Sequence, residues 1–146
     1  MHNLVKWLIG FVVVIVIILL LSGMYFFHVA QVRNPKSNQP DILRSKDNSL
    51  YRYENTFLAR HKQIWHETTR DGLKLDAWYV PADKKTNKTA ILAHGWHNNK
   101  TTMAIYGELF HELGYNVLIP DNRAHGDSQG KIIGYGWLDR RDYIQW

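Results

Sequence analysis

Several hydrophobic patterns follow one another along this chain. Trp7 to Phe27 (WLIGFVVVIVIILLLSGMYFF) is almost wholly apolar and uncharged. As a helix rising about 1.5 Å per residue it would reach across a hydrocarbon core of roughly 30 Å, so it predicts a membrane span. Arg33 to Ser49 is polar, holds Pro35 and Pro40, and predicts a tether. From Leu50 to Leu58 the apolar residues Leu50, Tyr53, Phe57 and Leu58 fall at helical spacing. Gln63–Thr68 and Leu73–Val80 read as two strands joined at Arg70-Asp71-Gly72, where Asp-Gly suits a tight hairpin. In the second, Leu73, Leu75, Ala77 and Tyr79 alternate with Lys74, Asp76 and Trp78, which predicts one inward face.

The pattern then changes period. Thr89–Ala93 is short and uncharged, as a central strand covered on both faces would be. Thr101 or Thr102 is expected to cap the next helix. Its stripe is Tyr106, Leu109, Phe110 and Leu113, and Gly114 is its left-handed stop. Gly107 inside it costs about 1 kcal/mol relative to alanine, which close helix-to-sheet approach would explain. Asn116–Pro120 is another buried strand, Asp121–Gly136 a glycine-rich loop, and Trp137–Trp146 begins a further helix. Strand, helix, strand with short loops predicts an α/β fold with a parallel crossover after the hairpin. The division expected is 1–33 anchor with flanks, 34–49 tether and 50–146 globular domain.

Composition adds limits. The formal net charge is +5. Residues 1–33 contribute Lys6 and Arg33 and no acid, so 16 basic and 13 acidic residues remain, scattered without a stripe. Nucleic acid is therefore not an expected partner. With no cysteine there is no thiol nucleophile or thiolate metal site. A cleaved signal is the alternative to the anchor, but bulky His28 occupies the minus-three position of the one candidate site, after Ala30. Arg33, Lys36, Arg44 and Lys46 outnumber Lys6 and favour a cytoplasmic carboxyl side, a bias that fades when a long folded domain follows.

The chemistry gathers behind the two parallel strands, where open sheets place their sites. His94-Gly95 follows the first, and Asp121-Asn122-Arg123-Ala124-His125-Gly126-Asp127-Ser128-Gln129-Gly130 follows the second. In this order the pair resembles the amino-terminal half of an alpha/beta-hydrolase. The preceding hairpin and Gly134-Tyr135-Gly136-Trp137 point toward the serine aminopeptidase and prolyl-oligopeptidase-like group, including membrane-bound cell-surface hydrolases. The resemblance covers about residues 60–146. It implies serine-dependent acyl transfer to water on a small-molecule ester or peptide-like substrate, without a cofactor, and a globular part on the extracytoplasmic side of the cell membrane. It also implies that the Trp96 backbone N–H is an oxyanion-hole donor, with His94 and Gly95 shaping its turn. Asp121, Arg123, His125 and Gly126 would form a supporting loop.

Gly126-Asp127-Ser128-Gln129-Gly130 matches the nucleophile-elbow string, in which Ser128 would attack the substrate. An elbow sits between a buried strand and a helix, whereas here Asp121–His125 intervenes before it and Lys131–Gly136 after it. Ser128 is accordingly read as a loop residue whose hydroxyl bonds backbone. Asp139 or Asp142 could serve as acid to it, but no histidine follows, so the triad is incomplete in family order. His94 and His97 lack further ligands at zinc spacing, so no metal is expected. The expectation is a hydrolase truncated before its elbow, inactive and marginally stable as it stands. The alternative is a non-enzymatic, membrane-anchored binding module using an exposed sheet edge.

Overall fold

A computed structural model describes residues 2–34 and 46–146 and gives the α/β alternation that the pattern implies. Most of the tether expected at 34–49 lies outside the described residues. The chain divides into two compact units, Met1–Val32 and Arg33–Trp146. In the first, α1 (His2–Gln31) carries the apolar stretch, with no buried residue. Its mean hydropathy reaches 3.1, and it is long and apolar enough to cross a membrane, a property it shares with signal sequences.

The second unit holds α2 (Tyr51–Ala59), β1 (Gln63–Thr68), β2 (Lys74–Val80), β3 (Thr89–Ile91), α3 (Ala104–Glu112), β4 (Asn116–Pro120) and α4 (Asp139–Gln145). The strand order is β1-β2-β4-β3, with β3 and β4 parallel and the other two pairings antiparallel. Gly72 takes φ +84° in the β1–β2 turn, and Gly114 takes φ +82° after α3. Both are values that side chains resist. One core unites Phe57, Val80, Ala104, Val117 and Ile119, placing α2 and α3 on a single face of the sheet.

Several expectations are corrected. β3 lies at the border of the described sheet, not its centre, and Ile91 is exposed. The charge-free sequence records burial at Ala90 alone. Asp76, on the expected polar face of β2, is buried because that face meets Lys100. A 3₁₀ turn (Lys100–Met103) precedes α3, and Asn99 rather than a threonine caps it, its side chain accepting the Thr101 N–H at 2.9 Å.

The buried face of α3 is also rotated from the stripe. Ile105, Gly107, Glu108 and His111 are inside, while Tyr106, Leu109 and Leu113 are exposed. Glu108 is tolerated there by a bidentate bond from Arg60 at 2.7 Å, and His111 by the Pro81 carbonyl at 3.0 Å. Gly107 is needed for helix-to-helix rather than helix-to-sheet approach, since a Cβ would meet the Phe57 ring at 2.7 Å.

Candidate functional site

The loops after β3 and β4 are tied by two histidines. His94, 5% exposed, donates from Nδ1 to the Gly95 carbonyl at 2.8 Å and accepts the Asn122 N–H on Nε2 at 3.0 Å. His125, 2% exposed, donates from Nδ1 to the Arg123 carbonyl at 3.0 Å and accepts the His97 N–H on Nε2 at 3.2 Å. These contacts assign both rings as neutral Nδ1–H tautomers. Burial pushes both imidazoles below their ordinary pKa; for His94 the Gly95 carbonyl and then Asp121 work against that, and for His125 the Arg123 carbonyl does. The loops frame a cleft of about 180 Å³ whose walls include His94, Gly95, Trp96, His125, Tyr135 and Asp139. Asp139 accepts the Gly136 N–H at 2.7 Å, and its other oxygen is buried without a hydrogen-bond partner.

Asp121, 4.0 Å from His94 Nε2, belongs to a cluster centred on Lys100. Its ammonium donates to Asp76, to Asp121 at 2.8 Å and to Asp127 at 2.7 Å. Burial alone would lower the Lys100 pKa, but these carboxylates, Asp121 foremost, hold it above the ordinary lysine value. The three carboxylates also have oxygens close enough together to hold a metal ion. Here the ammonium supplies the cation. Asp121 further accepts the N–H groups of Lys100 at 2.7 Å and Asp127 at 2.8 Å. Gly126 is confined by the same carboxylate, because a Cβ there would sit 2.0 Å from Oδ2.

Ser128 is fully buried, donating from Oγ to the Asp121 carbonyl at 2.6 Å and accepting the Asp76 N–H at 2.9 Å. It does not line the cleft. Arg33 donates to the Gly126 and Ser128 carbonyls at 2.6 Å each, so a residue expected to flank the anchor supports this loop.

On the opposite face of β2, Arg123 joins the hairpin to α4. It grips Asp142 with bonds of 2.8 and 2.9 Å and Asp71 with bonds of 2.9 and 3.2 Å. The bonds it donates to Asp142 hold the guanidinium pKa above its ordinary value, and the bond from Arg123 pulls Asp71 down to about 2. Glu67 is the one buried residue of β1, and neither carboxylate oxygen has a hydrogen-bond partner. Burial first and Asp142 second push its pKa up to about 7, with Arg123 opposing.

The folded state therefore holds this proton more tightly than the unfolded chain, whose value is 4.5. The stability Glu67 contributes is full below about 4.5 and is lost as pH rises through about 7. Glu67→Gln should accordingly raise stability by about 1–2 kcal/mol at pH 8, after discounting for solvent screening, and by almost nothing at pH 4. Thermal unfolding at the two pH values checks this, and an equal gain at both would rule it out.

Sequence reasoning placed His94, Gly95, Trp96, Asp121, Arg123, His125 and Gly126 in two loops, and the structure brings these loops together. It missed Lys100, Asp76, Glu67 and Asn122. Lys100 sits in the polar string Asn98-Asn99-Lys100-Thr101-Thr102, which reads as solvated. Asp76 reads as a residue of the polar face of β2, so the sequence carried no signal that a cation was required there.

No family model matches the chain. It is 33% identical over 120 residues to protein YqkD of Bacillus subtilis (strain 168), an alignment covering 82% of this chain and 39% of that one. Among solved structures it resembles the Pyrococcus furiosus esterase Pf2001 in two crystal forms, each with a TM-score of 0.52. One comparison gives 32% identity over 62% of this chain and 36% of the esterase, the other 29% over 75% and 41%. The chain thus spans about two fifths of the length of these relatives. The structural neighbours are alpha/beta hydrolases and support that superfamily for this chain. The described sheet and loops have the mixed α/β form of part of such a hydrolase.

Proposed function

We propose that these residues form half of the acyl-transfer site of a membrane-anchored serine hydrolase of the serine-aminopeptidase and prolyl-oligopeptidase-like type, acting on ester or peptide-like substrates. The observation that carries this reading is the fixed Gly95-Trp96 turn opening on the cleft beside His125 and Asp139. Prepositioned backbone N–H groups in a site shielded from water stabilise the oxyanion of acyl transfer, and the Trp96 N–H is assigned that role. The fully bonded Oγ of Ser128 argues against its being the nucleophile. In this reading the nucleophile, acid and catalytic histidine belong to the part of the relatives' length that this chain does not span. The length and apolarity of α1 support a single-pass anchor; the outer side for the globular unit is taken from the resemblance to cell-surface hydrolases.

The test is to express the complete reading frame that contains this chain, then measure hydrolysis of p-nitrophenyl butyrate and labelling by a fluorophosphonate. Turnover is expected, with the label on a serine other than Ser128 and with activity retained in Ser128→Ala. A label on Ser128, or no label at all, would overturn the assignment. A second reading, an anchored binding module without catalysis, draws on the border position of β3 and the exposed Tyr106, Leu109 and Leu113 of α3. Absence of both labelling and turnover would favour it.

A further inference from the structure

We propose that His94 and His125 act as a reciprocal latch that positions the turn carrying the Trp96 N–H, and that protonating the rings releases it. The use of the turn as an oxyanion donor rests on the hydrolase reading; the latch stands on geometry alone. Each ring sits in one loop and accepts a backbone N–H from the other: His94 from Asn122 and His125 from His97. The Gly95 carbonyl and the Trp96 N–H belong to one planar trans peptide, so fixing the carbonyl fixes the direction of the N–H. His94 Nδ1–H does this at 2.8 Å, and the Asn98 N–H assists at 3.2 Å. The next peptide is fixed through the His97 N–H by His125. Both peptide planes flanking the Trp96 Cα are thereby clamped by imidazoles.

The latch spans backbone that resists its own conformation. His97 and Ala124 take φ +56° and +62°, values that only the surrounding contacts can maintain in residues with a Cβ. A second proton on His94 Nε2 would point at the Asn122 N–H, and one on His125 Nε2 at the His97 N–H, so each bond would have to break. The ring centroids are 5.0 Å apart, which adds repulsion if both rings charge.

The groups facing the rings are few. His94 Nε2 lies 4.0 Å from Asp121 Oδ1, with Asp139 of α4 and Lys100 of the 3₁₀ turn acting from farther away. His125 faces His94, His97 and Asp139. Lys100 already engages Asp121, which limits what that carboxylate can offer an imidazolium. Burial favours the neutral rings, so the latch is closed at neutral pH and opens in acid.

The test uses the full chain in detergent micelles, with ¹⁵N-histidine spectra and amide exchange recorded from pH 8 to pH 5. Resonances are assigned by their loss in His94→Gln and His125→Gln. At pH 7.5 both rings should show the Nδ1–H tautomer. Protection of the His97 and Asn122 amides, corrected for intrinsic exchange, should fall at least tenfold toward pH 5 while Val117 and Ile119 of β4 stay protected. In His125→Gln, whose amide oxygen accepts at every pH, the His97 amide should lose its acid sensitivity.

Nε2–H tautomers, pH-independent protection, or parallel loss at Val117 and Ile119 would overturn the latch, and the first of these is read on the unmodified chain. Because no substrate enters these measurements, failed fluorophosphonate labelling with the latch intact would count against the hydrolase reading alone.

Discussion

Lys100→Met is expected to lower the stability of the globular unit by about 3–5 kcal/mol, the cost of removing one partner from a buried charge cluster. Methionine matches the length of the lysine stem but offers no cation. Asp121 is 1% exposed and Asp76 9%, so neither can turn to water for compensation. Asp127 can, since its side chain is 78% exposed, and it should contribute little to the loss. The penalty should be visible as a fall in the thermal midpoint of the full chain in micelles, followed by tryptophan fluorescence. It should also narrow in acid, because a proton neutralises a stranded carboxylate that the ammonium no longer serves. A loss below 1 kcal/mol at pH 7 would show that the cluster is solvated and that its carboxylates do not depend on Lys100.

The same cluster shows where the sequence was legible. β2 follows from period-two alternation, its hairpin with β1 from Asp71-Gly72 and β4 from a short apolar run, all of them local signals, and α1 follows from uninterrupted apolarity. The His94-Gly95 turn and the loop around His125 were readable as a pair because each follows a strand. What failed was information that travels far along the chain. Lys100 is buried by carboxylates 21, 24 and 27 positions away. Glu108 is buried by Arg60, 48 positions back, and His111 by Pro81, 30 positions back. A helical period gives the spacing of a stripe but not its rotation when distant partners satisfy polar groups on the buried side. Glu67 was silent for the same reason, since the groups that set its charge, Asp142 and Arg123, come from a helix and a loop remote from β1 in sequence.

That remote triad sets the second large expectation, for Arg123. Arg123→Met should cost about 3–4 kcal/mol, mostly through Asp142, which is 4% exposed and loses both of its guanidinium bonds. Asp71, with a side chain 57% exposed, can rehydrate and adds little. Arg123→Lys should fall between wild type and methionine, because an ammonium cannot reproduce the planar fork that grips Asp142 while reaching Asp71. The triad also predicts coupling to Glu67. Arg123 holds the Glu67 pKa down and Asp142 holds it up, so removing the guanidinium leaves two buried carboxylates facing each other. Protonation of Glu67 then relieves the strain, and the loss caused by Arg123→Met should be smaller at pH 5 than at pH 8. Glu67→Gln in the methionine background should recover more stability at pH 8 than it adds to wild type, giving a non-additive double-mutant cycle. Strict additivity at pH 8 would mean that Glu67 and Asp142 do not sense each other, and the raised Glu67 pKa would then have to be assigned to burial alone.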